Sequence, residues 1–383
     1  MFRQATGAMA LILAGCLALP AAASEGVTAD SISFAQVAAL DGPAAALGLG
    51  MKQGLDAAFA EVNAAGGVNG RKIVLDSFDD SYEPDQSAAE VSRLITEGTH
   101  LGLIGLVGTP TTGATQPIAT AAGVPYIGPF TGAGFLRDPA LTNVLNVRAS
   151  YAAETEDWIR YLVDVQGMKN IAILYQDDGF GRVGLDGVTA ALEQRGMTLS
   201  ASGTYTRNTT AVKSALIDIR AAAPDAVVMV GAYKPIAEFI KLSHKLDFRP
   251  TFVNISFVGS SALAGELGAE GEGVIISQVV PFPWDDSLPV VARYQAAMRA
   301  VQADATFDFV SLEGYVVGRL AIEAVRAAGQ DLTRAGLIAA MQGMTDVDID
   351  GLKMSFGPGD NQGLEEVFLT RIAGDGSFAQ ILD

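Results

Sequence analysis

The sequence predicts an α/β protein built as two doubly wound, Rossmann-like lobes. Short apolar runs alternate with amphipathic helical segments along nearly the whole chain. The runs are continuously apolar, which marks parallel strands covered by helices on both faces. The alternation passes through two cycles of about 120 residues, each the size of one domain. The 43 glycines among 383 residues suit many tight connections between short elements.

The elements follow in order. "SISFAQVAAL" (31–40) reads as the first buried strand. Leu47, Met51, Leu55, Phe59 and Val62 then recur at helical spacing. "KIVLDSF" (72–78) is a second strand. Pro84 suits the first turn of a helix whose Val91, Leu94 and Ile95 face inward and which Gly98 stops. "LGLIGLVG" (101–108) and "VPYIG" (124–128) are strands flanking another helix. A second cycle begins after "NVRAS" (146–150). Trp158, Ile159, Leu162 and Val165 mark a helix, "IAILY" (171–175) a strand, and Val188 and Leu192 a further helix. "DAVVMVG" (225–231) and "TFVNIS" (251–256) are strands, 288–303 and 308–328 helices, and "LKMSFG" and "EVFLTRIAG" follow. No low-complexity linker interrupts the chain, so several short crossings are expected to join the lobes.

The stretch "NAAGGVNGRKIVLDSFDD" (63–80) could be a phosphate loop, a metal site or punctuation. A phosphate loop runs strand, glycines, helix N-terminus. Here the order is helix, glycines, strand. Asp79 and Asp80 lack the alternating carboxylates of a calcium loop. Gly66 and Gly67 suit a left-handed helix end and Asn69-Gly70 a tight turn, so the stretch reads as punctuation.

Residues 1–23 read as a secretory signal: Arg3, an apolar run, and small residues before Ser24. "LAGC" (13–16) offers a competing lipid attachment at Cys16, but the chain stays apolar after it, and cleavage before Ser24 is the reading adopted. That cleavage removes the single cysteine, leaving no disulfide, thiolate nucleophile or cysteine metal site. The net charge of −18 disfavours nucleic acid and anionic membranes as partners.

Ligands of open parallel sheets bind beyond the carboxyl ends of strands. In "GLVGTPTTGATQP" (105–117), Thr109 suits an N-cap and Pro110 the first helical position. The helix-start N–H groups and the hydroxyls of Thr109, Thr111 and Thr112 make a carboxylate site, or else a plain cap with threonines in solvent. Gly179-x-Gly181-x-x-Gly184 matches a dinucleotide fingerprint on paper. Asp177 and Asp178 would then face a pyrophosphate, and no acidic residue near the next strand serves a ribose, so no nucleotide cofactor is expected.

The 63–80 string, with the Gly42-Pro43 turn before it, resembles the type I periplasmic binding proteins of ABC transporters, in particular the branched-chain amino acid (Leu/Ile/Val) group. "TQPIA" (115–119), "GVPYIGP" (123–129), "DDGFGRVGLDG" (177–187) and "EGY" (313–315) extend the likeness over essentially the whole chain after residue 23. The resemblance implies lobes of 24–146 plus 282–355 and 147–281 plus 356–383, three crossings, and a small ligand trapped by hinge closure. It implies a periplasmic monomer that serves an ABC permease. A soluble sensor of the same fold is the alternative. Thr109 falls where the family holds a ligand carboxylate through a hydroxyl. Phe130 and Thr131 fall at another backbone and hydroxyl contact. Phe180 and Tyr233 match cleft aromatics, and Tyr151 follows the first crossing.

Two positions depart from the family pattern. The acidic residue that holds an amino acid's ammonium is replaced by Ser256, and a first-loop tyrosine by Leu47. A hydroxyl cannot neutralise a buried ammonium. Either another acid substitutes, with Asp41 and Glu313 as candidates, or the ligand is a carboxylate or amide without an α-ammonium. Catalysis is not expected. His100 and His244 have no metal-spaced partners, "VGSSALAG" lacks nucleophile-elbow spacing, and Asp285-Asp286 and Glu365-Glu366 read as solvated pairs.

Overall fold

The structure, a computed structural model, describes residues 25–382. The expected leader and Cys16 lie outside the described residues. The first cycle forms β1 (Ser31–Ala38), α1 (Ala45–Ala64), β2 (Lys72–Asp79), α2 (Pro84–Glu97), β3 (Gly102–Ile104), α3 (Thr109–Ala121), β4 (Tyr126–Ile127) and β5 (Val144–Leu145). These strands make one parallel sheet in the order β2-β1-β3-β4-β5. The chain then crosses into α4 (Tyr151–Ile159), β6 (Ile171–Gln176), α5 (Gly179–Glu193), β7 (Ala201–Tyr205), α6 (Lys213–Ala221), β8 (Ala226–Val230), α7 (Tyr233–Lys245), β9 (Thr251–Asn254), α8 (Ser260–Leu267) and β10 (Ile275–Gln278). It returns as α9 (Pro289–Val301) and α10 (Phe309–Ala328), which pack on α1, then α11 (Arg334–Gln342) and the small hairpin of β11 (Val347–Ile349) and β12 (Leu352–Met354). A third passage brings β13 (Phe368–Ile372) and β14 (Phe378–Gln380) to the second sheet, whose order is β14-β13-β10-β9-β8-β6-β7.

The first and third passages run side by side. Asn146 N donates to Asn361 O at 2.8 Å, and Leu364 N to Val147 O at 2.7 Å. The apolar core is continuous from Phe34 in the first sheet to Ile173 in the second.

Three details differ from the sequence expectation. β13 and β14 are antiparallel edge strands on an otherwise parallel sheet. Their turn is set by Asp375, which accepts from Ser377 N and Oγ, so a hairpin closes where a crossover helix would be needed for parallel pairing. The helix of Trp158 and Leu162 changes to a π-helix over Arg160–Val165, which shifts the phase and leaves Val165 exposed. Helix α3 begins at Thr109 itself, with Gly108 as the capping residue, because the Thr109 hydroxyl is engaged elsewhere.

The 63–80 stretch is punctuation. Asn69 and Gly70 both have positive φ, and Val68 and Arg71 exchange backbone hydrogen bonds across them. The aspartates that end it do more than stop a strand. Asp79 accepts from Leu40 N at 2.7 Å and Asp41 N at 3.1 Å, tying down the loop after β1. Buried Asp80 accepts from Tyr82 N at 2.9 Å and Ser87 Oγ at 2.7 Å. Ser81 and Tyr82 both lie in the left-handed region, at φ 50° and 60°, which non-glycine residues disfavour. Asp80 holds that turn and so delivers the Tyr82 ring inward.

Burial pushes the Asp80 carboxyl up to about 6, against the opposing hydrogen bonds from Ser87 and Tyr82. Its ordinary value is 3.8, so between these two values the folded chain holds a proton that the unfolded chain releases. The stability this confers is full below pH 4, is lost as the pH rises through 6, and stays lost above. The difference amounts to about 3 kcal/mol. Asp80→Asn keeps an acceptor for Tyr82 N and removes the penalty. Denaturant unfolding is expected to show the variant about 1–3 kcal/mol more stable than wild type at pH 7.5 and nearly equal to it at pH 4.

Candidate ligand site between the two sheets

Strand order reverses between β1 and β3 in the first sheet and between β6 and β8 in the second. Loops beyond the carboxyl ends of such strands form the binding crevices of open sheets. Here the two sets of loops face each other. Ala46 N donates to the Tyr233 hydroxyl at 3.4 Å. Gly259 lies against Leu47: a Cβ there would fall 2.6 Å from Leu47 Cδ2 and push that side chain aside, and its φ of 79° favours glycine.

Between these loops five rings from both sheets converge. Phe257, just after β9, has its ring centroid 4.7 Å from Phe180, 5.4 Å from Phe130 and 6.0 Å from Tyr82. Tyr151 lies 5.6 Å from Phe180. All five are buried, at spacings typical of packed aromatic pairs. Of the sequence candidates, Phe130, Phe180 and Tyr151 thus come together, while Tyr233 stands at the facing loop of α1. Thr109 and Thr131 join hydroxyls at 2.7 Å and are both buried. Thr111 does not share that pairing: its hydroxyl donates back to Val107 O and Gly108 O.

Ser256 has a partner that the sequence did not reveal. Its N and Oγ both donate to the buried Glu154 carboxylate at 2.9 Å, and Ser277 Oγ donates to the same group. An acid does therefore lie at Ser256, but it comes from the first turn of α4. Asp41 is exposed and accepts from Gly42 N, and Glu313 is committed elsewhere. Burial pushes the Glu154 carboxyl up, opposed by the Arg148 charge and the serine hydrogen bonds.

Glu313 on α10 binds Arg148 of the first passage in a two-point pair, Nε and Nη2 each at 2.9 Å from a carboxylate oxygen. Both side chains are buried. The guanidinium also sits 4.2 Å above the Phe130 ring. Burial opposes the Arg148 charge, but Glu313 and its other neighbours outweigh that and raise its pKa above the ordinary value. Among the described residues, Arg148 Nη1 and the Tyr151 hydroxyl have no hydrogen-bond partner, although the latter lies toward Thr131.

A polar rim closes the same crevice. Arg207, after β7, donates to Asp178 at 2.9 Å within its own sheet region and to Glu83 at 2.8 Å across the gap. Asn208 Nδ2 donates to Ser81 O and to Glu83. The glycine motif of α5 serves packing: Asp178 caps the helix by accepting from Phe180 N, and a Cβ on Gly181 would fall 1.8 Å from Gln176 O. A separate cavity of about 690 Å³ lies under Trp284 and Phe378. Its one charged lining residue, Asp375, is engaged by Ser377, so it lacks the convergent free polar groups of a ligand site. Among the described residues no acidic, histidine or cysteine cluster is arranged for a metal, and no helix is long and apolar enough to cross a membrane.

The sequence reading missed Arg148, Glu154, Phe257, Tyr82 and Arg207. Arg148 had a usable signal, a charge set between apolar residues at the end of a strand run. Tyr82 followed a strand's carboxyl end in the same way. Glu154 had none, because its serine partners are 102 and 123 residues away.

Two facing open sheets, three passages between them and a shared crevice define a two-lobed binding protein. The chain belongs to the periplasmic binding protein family, whose model matches residues 31–377. It is similar to the Leu/Ile/Val-binding protein homolog 7 of Brucella abortus, 26% identical over 367 residues that cover 91% of this chain and 89% of the relative. Its fold matches the crystal structure of a possible leucine/isoleucine/valine-binding protein from Rhodopirellula baltica, with a TM-score of 0.88 and 35% identity over 94% of this chain and 98% of that one. A substrate-binding periplasmic protein from Ralstonia solanacearum matches with a TM-score of 0.87 and 28% identity over 92% of this chain and all of that one.

Proposed function

We propose that the protein is exported to the periplasm with residues 1–23 as its leader, captures a small organic solute in the crevice and delivers it to an ABC importer. The solute is an amino acid, an amide or a carboxylate. The observation that carries this reading is the convergence, from both sheets, of aromatic rings and free polar groups on one buried centre. The relatives named for Leu/Ile/Val binding support the same class. Residues 24–146 with 282–355 and residues 147–281 with 356–383 act as the two lobes, and the side-by-side passages act as the hinge. Thr109, Thr131, Phe130 and Tyr82 present one wall to the solute, and Tyr151, Phe180, Phe257, Ser256 and Tyr233 the other. The protein acts as a monomer without a cofactor. It needs no catalytic group, because closure itself is the work.

The rim pairs hold the closed form. Arg207→Gln removes the contacts to Glu83 and Asp178, both partly exposed, so a modest effect is expected. Stopped-flow release of bound solute should be about two- to fivefold faster, with little change in the capture rate. The solute is taken from the protein itself: unfolding in denaturant releases it, and the separated small-molecule fraction is returned to refolded protein. Saturation at one equivalent, with a raised melting temperature, is the expected result. No uptake of that fraction, nor of any amino acid, amide or carboxylate, contradicts the reading.

A further inference from the structure

We propose that the solute is an amine-free carboxylate with an apolar or aromatic body, its carboxylate bridging Arg148 Nη1 and the Tyr151 hydroxyl beside Thr131, and its body held by Phe130, Phe180 and Phe257. This rests on the solute-binding reading above and narrows it.

The starting point is an imbalance of hydrogen bonds. A guanidinium has five N–H donors. Glu313 takes the Nε proton and one on Nη2, and the Phe130 face covers the plane. Nη1, fully buried, has no acceptor among the described residues, and neither has the proton of the buried Tyr151 hydroxyl. Buried donors left unmet are costly, and charged ones most of all. Thr131 and Gly132 stand beside Tyr151, and Thr131 is paired to Thr109. An oxyanion brought here would meet the free Nη1 and a hydroxyl that only Thr131 and Gly132 approach. Two-oxygen anions suit such paired N–H and O–H donors, and charge-assisted hydrogen bonds are the strong ones.

An ammonium finds no counterpart. Among the described residues, no buried carboxylate oxygen lacks a partner. Glu154 accepts from three donors, Glu313 chelates Arg148, and Asp178 accepts from Phe180 N, Gln176 and Arg207. The Ser256 hydroxyl is already spent on Glu154. Charge points the same way. Arg137 lies next to this cluster and its pKa is pushed down to about 10 by burial and by Arg148. Burial pushes the Glu154 carboxyl up, against the Arg148 charge and the serine hydrogen bonds. Arg137 and Arg148 thus bring two guanidiniums to this cluster, beside the carboxylates of Glu313 and Glu154, both of which are already engaged by protein donors. Arg148 also lies on the first passage, and its O accepts from Gln362 of the third, so the anion is read at the hinge.

Calorimetry on the purified, refolded protein tests this with phenylacetate, 4-methylpentanoate, 4-methyl-2-oxopentanoate, phenylacetamide, leucinamide and leucine. At least one carboxylate should bind, and its matching amide should bind at least about tenfold more weakly. Tyr151→Phe deletes a hydroxyl that lies toward Thr131 and Gly132 without a well-formed hydrogen bond, so the solute-free melting temperature should change little. Affinity for the carboxylate should nevertheless fall about ten- to a hundredfold. A purely structural Tyr151 predicts neither the affinity loss nor its restriction to carboxylates. Mass spectrometry of the fraction released on unfolding is the second readout. Leucine binding without its deaminated analogues, an amine-bearing released solute, or a carboxylate affinity untouched by Tyr151→Phe overturns the proposal and leaves solute capture standing. Silence across the panel with no released solute overturns both.

Discussion

Glu313→Gln is expected to cost about 3–5 kcal/mol of stability. The reason is what it leaves behind. Arg148 and Glu313 are each about 2% exposed, and each satisfies the other at two points. The glutamine keeps the size and one acceptor but abandons a guanidinium in a place that water does not reach. Arg148 cannot escape by losing its proton, since guanidinium holds it far above neutral pH. Denaturant unfolding at pH 7 measures the loss. A companion variant separates burial from pairing: Arg148→Met with Glu313→Leu removes both charges, and its stability should recover most of the loss. Because the pair ties the first passage to α10, equal destabilisation of the double and single variants would mean that the pair shapes the hinge rather than merely neutralising itself.

Phe257→Ala is the second large effect. Deleting a fully buried phenylalanine costs about 3–5 kcal/mol. The ring is unusual in what it touches. Phe180 belongs to its own sheet, but Tyr82 and Phe130 belong to the other. Much of the loss therefore falls on closure rather than on the fold of either lobe. Solute affinity should drop by about a hundredfold or more, while the denaturant midpoint of the solute-free protein moves less than the full figure implies. A variant that loses stability without losing affinity would place Phe257 in the core of one lobe and outside the crevice.

The fold was legible because its signals are local. Short, valine-rich apolar runs such as 225–231 suit strands sheltered on both faces, and Leu47, Met51, Leu55, Phe59 and Val62 declare one helix face. Asn69-Gly70 declared its turn for the same reason. The antiparallel β13–β14 hairpin was not legible, since direction depends on a turn chosen by Asp375 and Ser377 rather than on the strand residues themselves. At the candidate site, the residues that a strand end announces are the proposed ones: Thr109, Phe130, Thr131 and Phe180 each follow a strand. Residues placed by long-range pairing were hidden. Arg148 and Glu313 are 165 residues apart, and no spacing rule links them. Ser256 stands where the family pattern has an acid, and the carboxylate beside it belongs to Glu154 on another helix, 102 residues away. Phe257, its neighbour, looked like one more apolar residue at a strand's end.

Two lobes that close on a solute bound between their sheets must become more compact when it binds. Small-angle X-ray scattering tests this most directly, on refolded protein stripped of solute and on the same protein after the released small-molecule fraction is returned. Closure on the solute gives a larger radius of gyration without it and a decrease on its return to the value of this closed arrangement. Identical scattering in both states, with saturable binding in the second, would contradict it, because the solute would then be held without closure.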